Sequence, residues 1–149
     1  MRVLLQRVLE ASVKVDKKIT GQIKKGLLIL IGIENSDNET DKEWIVRKVM
    51  NLRIFSDANG QMNKSLKDIN GELLIVSQFT LHASVKKGNR PSFTKAAKPE
   101  IAKPLYDQTV DCFKEASQVV ETGIFGADMK VSLINDGPVT IWLDSKNRE

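Results

Sequence analysis

Residues 26–33, Gly-Leu-Leu-Ile-Leu-Ile-Gly-Ile, carry no side chain able to form a hydrogen bond. An extended run that is apolar at every position buries both of its faces, so it reads as an interior strand with structure packed on each side. Its eight residues are far short of the ~20 that a membrane helix needs. The N-terminal stretch MRVLLQRVLEASV is interrupted by Arg7 and Glu10, which leaves no continuous signal-peptide core. The expectation is a cytoplasmic protein without a membrane segment. Its 149 residues suit one domain, and a chain of that length buries roughly 70% of its unfolded surface without help from a disulfide or metal. A lone Cys112 and a lone His82 offer no internal disulfide and no metal-ligand cluster.

Around the apolar run, residues 2–9, 12–15 and 19–23 read as strands, with a turn at Asp16-Lys17-Lys18. Asn35-Ser-Asp-Asn38 supplies capping residues for a helix over 40–52, in which Ile45, Val49 and Leu52 share a face. Asp57-Ala-Asn-Gly60 marks a hairpin after a short strand at 53–55. A second helix is expected from Pro99 to about Val119, with Leu105, Thr109, Cys112, Ala116 and Val120 on one side. Cys112 is read there as packing, since nothing nearby lowers its pKa. Residues 129–134 and 139–143 read as two closing strands divided by Asn135-Asp136-Gly137-Pro138. The pattern predicts a single α+β domain over residues 1–149: mainly antiparallel strands in a barrel-like sheet, with two main helices.

The net charge of +4 is unevenly placed. Residues 86–103 hold six basic side chains against Glu100, while the remainder holds 17 basic and 18 acidic residues. Such a segment is either a solvated loop or a phosphate-binding surface, and Lys86, Lys87 and Arg90 are the candidates for the latter.

Three constellations have the residue types for chemistry. Ser77, Gln78 and Thr80 follow the apolar strand Glu72–Val76. They either satisfy a strand end or face a pocket. No Gly-x-Ser-x-Gly elbow surrounds Ser77, and a hydroxyl nucleophile without a base is weak. His82 is read as a surface histidine rather than that base. In 135–140, Asn-Asp-Gly-Pro-Val-Thr, the Gly-Pro step is a turn by default; alternatively, a glycine without Cβ beside a proline holds rigid carbonyls close to a ligand. Arg7, between Leu5 and Leu9 on one strand face, needs a buried partner, for which those carbonyls are candidates. Phe125 and Met129, in a glycine-rich loop, either plug the core or bound a flat slot for a base.

Taken in order, Met1-Arg-Val, Gln6-Arg-Val8, Ala11-Ser-Val13, Asn51-Leu-Arg-Ile-Phe55, Ser77-Gln-Phe-Thr-Leu81, Lys87-Gly-x-Arg-Pro-Ser-Phe93, Thr122-Gly-x-Phe-Gly-Ala-x-Met129 and Asn135-Asp-Gly-Pro-Val-Thr140 resemble the D-aminoacyl-tRNA deacylases over essentially the whole chain. The chain departs from that pattern at His82, where an aromatic residue, commonly Tyr, is expected.

The resemblance implies hydrolysis of the ester between a D-amino acid, or mischarged glycine, and the 3′-terminal adenosine of tRNA, with no cofactor. Ser77, Gln78, Phe79 and Thr80 would line the catalytic pocket, the amides around Phe79 and Thr80 stabilising an oxyanion. Phe125 and Met129 would bound the adenine, and Lys86, Lys87 and Arg90 would meet tRNA phosphates. The family is homodimeric, with Gly137-Pro138 expected to be cis and inserted into the partner's pocket as a steric gauge against L side chains. Arg7 would hold that geometry, with Asn135 and Thr140 in the same substrate-binding motif. For the chemical step the resemblance leaves two readings: Thr80 as nucleophile, or a water activated by the ribose 2′-hydroxyl. Without a base near Thr80 the second is favoured. The intact SQFT points away from a related branch with a trans Gly-Pro bond that acts on a mischarged L-amino acid. The alternatives are a non-catalytic RNA-binding module, and a general esterase, which lacks the nucleophile–base pair it needs.

Overall fold

One long strand organises the molecule. The structure, a computed structural model, describes residues 1–86 and 88–149, so Lys87 lies outside the described residues. β1 (Arg2–Val15) is continuous where the sequence pattern gives two strands. On one edge it pairs with β3 (Gly26–Gly32) through Arg2–Val8 and with β2 (Lys18–Ile23) through Ala11–Val15. On the other edge it pairs with β8 (Lys130–Asp144), so that Leu5, for example, lies between Ile29 and Ile141. All three pairings are antiparallel.

Beyond β3 the sheet continues through β6 (Glu72–Ser77) and β7 (Val120–Thr122), and both of these pairings are parallel. The chain between β3 and β6 carries α1 (Glu39–Asn51) and a small hairpin, β4 (Phe55–Ser56) with β5 (Met62–Lys64); α2 (Pro99–Ala116) lies between β6 and β7. Crossovers of this length are what parallel pairing requires. The sheet curls until its ends nearly meet: a Cβ on Gly21 of β2 would sit 2.6 Å from the Thr122 carbonyl oxygen of β7. The expected barrel-like α+β architecture with two main helices is the one observed.

The apolar run behaves as its composition requires. Leu27, Ile29 and Ile31 pack under the helices with Ile45, Val49 and Phe113. Leu28 points the other way, into the barrel with Val13, Ile23 and Leu74. α1 starts with a reciprocal capping box, the Asn38 side chain accepting from Thr40 N and the Asp41 carboxylate accepting from Asn38 N, each at 3.0 Å. α2 ends at Ala116, and its buried residues are Ala102, Tyr106, Thr109, Val110 and Phe113. Of the expected stripe only Thr109 is fully buried; Leu105 and Ala116 pack half-buried at the core's margin, because the large aromatics Tyr106 and Phe113 claim the interior. Cys112 is half-buried. No described helix is long and apolar enough to cross a membrane.

Candidate active site

The polar residues that end β6 enter a tight turn. Gln78 N donates to Ile31 O at 2.7 Å, and Phe79–His82 forms one 3₁₀ turn. Its first internal hydrogen bond runs from Leu81 N to Gln78 O (3.2 Å), so the preceding amides of Phe79 and Thr80 have no acceptor inside the turn. The Gln78 side-chain amide donates to Thr80 Oγ1. The Thr80 oxygen therefore meets a donor, and among the described residues no carboxylate or imidazole is hydrogen-bonded to it.

His82 corrects the surface reading. It is 1% exposed, and neither ring nitrogen has a hydrogen-bond partner among the described residues. Burial pushes its pKa below the ordinary value. The ring underlies the turn against Gly32, where an added Cβ would come within 2.9 Å of Gln78 O and 3.0 Å of the imidazole. From the other side Arg2 Nη1 donates to Leu81 O at 3.1 Å while its Nε is bonded to Asp144 at 3.0 Å. The turn is thus seated on a glycine, wedged by a neutral imidazole and tied by a guanidinium.

Ser77, Gln78 and Phe79 form one wall of a cleft of about 640 Å³, and Phe125, Asp128 and Met129 form another. Phe93 packs edge-on against Phe79, with ring centroids 5.1 Å apart. Tyr106 lies beneath: its ring meets Phe125 at 5.5 Å and its hydroxyl donates to Ile75 O at 3.0 Å. That carbonyl also accepts from Gly123 N at 3.1 Å, which ties β6 to the loop bearing Phe125. Burial raises the Tyr106 pKa, so the hydroxyl stays a donor.

A second cluster lies on β1 and β8. Between Gln6 and Val8 the ladder passes from Thr140 to Asn135, so residues 136–139 arch out of it. Asn135 Nδ2 donates to Arg7 O (2.9 Å) and to Val139 O (3.0 Å), closing the base of the arch, while its Oδ1 accepts from Thr140 Oγ1 at 3.2 Å. Gly137-Pro138 is cis, Gly137 has φ +117°, and both residues are exposed. Arg7 is buried, but its partners are the Ile54 carbonyl and the Asp136 carboxylate, not the Gly137 and Pro138 carbonyls anticipated. Its Nε lies 3.0 Å from Asp136 Oδ2 yet makes no directed hydrogen bond, so this pair is Coulombic. The same irregularity breaks the strand alternation: Arg7 and Val8 are both buried, and Leu9, expected beside Arg7, is 49% exposed.

The two clusters are separate within one chain. Neither Gly137, Pro138 nor Arg7 lines the cleft. Ser77 is in register with Ile31 and Val3, whereas Arg7 sits four residues further along β1, about 13 Å at strand rise. Lys86 and Arg90 are exposed on a loop pinned at its base by paired bonds between Ser84 and Ser92 (2.7 and 2.9 Å).

The family model for D-Tyr-tRNA(Tyr) deacylases matches residues 4–144. The chain belongs to that family. Proteins named D-aminoacyl-tRNA deacylase from Flavobacterium psychrophilum, Chromobacterium violaceum and Bacteroides fragilis are 63%, 60% and 57% identical to it, each over the whole of both chains. A solved structure described as a c-Myc DNA unwinding element binding protein superposes with TM-score 0.92 at 40% identity, covering 97% of this chain and 98% of that one. A probable eukaryotic D-amino acid tRNA deacylase shares the fold, with TM-score 0.82 at 21% identity over 95% and 97% of the two chains. As a D-aminoacyl-tRNA deacylase the protein is a hydrolase acting on a carboxylic ester bond. Two residues that hold the cleft and the turn escaped the sequence reading. Tyr106 is the chain's only tyrosine and falls between Ala102 and Val110 on the buried face, a polar-tipped aromatic on an apolar stripe. Arg2 gave no such signal, because its contact with Leu81 spans 79 residues.

Proposed function

We propose that the protein clears D-amino acids, and mischarged glycine, from the 3′-terminal adenosine of tRNA, in a site shared between two copies. The observation that carries this reading is the Phe79–His82 turn, which among the described residues offers two uncommitted amides and a donor-facing Thr80 but no base. Such a site stabilises developing negative charge on an ester carbonyl better than it deprotonates a nucleophile. The proton acceptor then belongs to the substrate: the ribose 2′-hydroxyl, vicinal to the ester, assists the attacking water, and Thr80 positions it. Ser77 and Gln78 hydrogen-bond the aminoacyl end, and Phe125 and Met129 sandwich the adenine on the facing wall. Lys86 and Arg90 meet the tRNA phosphates, with Lys87 beside them in sequence.

The chirality gauge is the Gly137-Pro138 arch of the second copy. Its exposure and its distance from its own cleft support that assignment, as do the exposed Leu9, Ile134 and Trp142 along β1 and β8, an apolar face suited to a partner. Gly137 and Pro138 carbonyls directed at the substrate Cα leave room for hydrogen and none for an L side chain, and glycine passes because it has none. The test is hydrolysis of D-tyrosyl-tRNA and L-tyrosyl-tRNA side by side. Rapid loss of the D ester with the L ester spared is expected. Loss of both would discard the gauge, and loss of neither despite tRNA binding would leave a non-catalytic RNA-binding module.

A further inference from the structure

We propose that Lys14, Lys17 and Lys130 form a second phosphate-binding rim, so that the acceptor end of tRNA is gripped on both sides of the cleft. This rests on the reading that aminoacyl-tRNA is the substrate.

Lys14 and Lys130 face each other directly in the β1–β8 register. Like charges opposed on neighbouring strands are destabilising, so the pair has a structural cost with no structural return. Lys17, at φ +66° in the turn after β1, joins them around one open basin of about 390 Å³ that also includes Asp16 and Asp128. The five groups sum to +1, and the neighbouring exposed Lys18 makes the end of the strand pair more basic still. Among the described residues Lys14 and Lys17 have no ion-pair partner. Lys130 is bonded to Asp128 at 2.7 and 2.9 Å, but both side chains are exposed, and an ion pair in water yields readily to a phosphate.

Position identifies the ligand. Asp128 lines both this basin and the cleft, so the two are contiguous at the Phe125–Met129 wall. Lys86 and Arg90 belong to the loop that follows the Phe79 wall. A nucleotide chain whose last base lies in the cleft must leave it past one wall or the other, and a duplex end has strands for both. Simple anions would find only exposed lysines here; a polyanion seated in the cleft brings its phosphates to them at high effective concentration.

The test is binding of uncharged tRNA across a series of salt concentrations, comparing wild type with a Lys14→Ser/Lys17→Ser/Lys130→Gln variant. All three positions are exposed, and thermal melting checks the fold. Each phosphate contact contributes about 0.7–0.9 to the slope of log K against log salt, so the slope should fall by about 2 to 3. KM for D-tyrosyl-tRNA should rise with kcat unchanged. A control with the same loss of charge, Lys64→Ser/Lys67→Ser/Lys114→Ser, should keep the wild-type slope. An unchanged slope in the rim variant, or an equal drop in the control, overturns the rim. A wild-type protein that neither binds tRNA nor cleaves its ester removes the reading beneath it; cleavage by wild type with an unaltered slope in the variant removes the rim alone.

Discussion

Tyr106 and Thr80 show how differently two hydroxyls act: Tyr106 lines the cleft, whereas Thr80 lies on the adjoining turn, outside the cleft's lining. The Tyr106 hydroxyl works by placing walls: it and Gly123 N share the Ile75 carbonyl, so β6 and the Phe125 loop move together. Tyr106→Phe keeps the ring against Phe125 and leaves Ile75 O one donor, so no buried acceptor is orphaned. The expected cost is about 1 kcal/mol of stability, with a raised KM and kcat preserved; denaturant titration and steady-state kinetics read the two effects separately. Thr80 is hydrogen-bonded by Gln78, and among the described residues no base is bonded to it that would make it a nucleophile. Thr80→Ala should therefore retain substantial D-tyrosyl-tRNA hydrolysis, and total loss in a folded variant would return the covalent mechanism to favour.

At the scale of elements, the Phe79–His82 turn depends on what it rests on. Gly32 ends β3 directly beneath Gln78 and His82. Gly32→Ala would bring a methyl within 2.9 Å of the Gln78 carbonyl, a backbone atom that yields only if the turn shifts. Overpacking of this kind costs about 1–3 kcal/mol. Because the shift falls on the amides of Phe79 and Thr80, kcat should fall by at least about tenfold, and an unaffected kcat would show that the turn tolerates displacement. His82 makes the same support sensitive to acid. Its folded pKa is lowered by burial, so neutral His82 contributes fully above its unfolded value of about 6.5, and that stability is lost as pH falls below it. Melting temperatures from pH 8 down to pH 5 should drop further for wild type than for His82→Phe; parallel curves would mean that another group titrates.

For the whole molecule, the consequential feature is that the cleft and the Gly137-Pro138 arch occupy different regions of one chain. If each site takes its cleft from one copy and its arch from the other, two inactive variants should complement. Gly137→Ala damages the arch: φ is +117° there, and the new Cβ would lie 2.9 Å from Arg7 Nη2. A Gln78→Ala/Phe125→Ala variant damages the cleft. Equal mixtures should form mixed dimers with one intact site each and regain about a quarter of wild-type activity. No recovery after co-refolding would place cleft and arch in independent roles.

Local chemistry made much of this protein legible from its residues alone. An apolar run with no polar member has to be interior; Asn38 ahead of an acidic first turn has to begin a helix; the ordered motifs from Met1 to Thr140 carried the family. The misreadings all arose where distant parts of the chain compete. β1 and β8 each became one strand because a partner along the full edge outweighs local interruptions. The inward side of α2 was settled by Tyr106 and Phe113 filling space against the sheet, and His82 was buried by packing on Gly32, 50 residues away. Charge shows the same division. By sequence the excess sits in residues 86–103, while the pairing of β1 with β8 brings Lys130 opposite Lys14 from far along the chain. Periodicity and capping act over a few residues and are written in order along the chain; register, space-filling and fields act across contacts, and those exist only once the chain has folded.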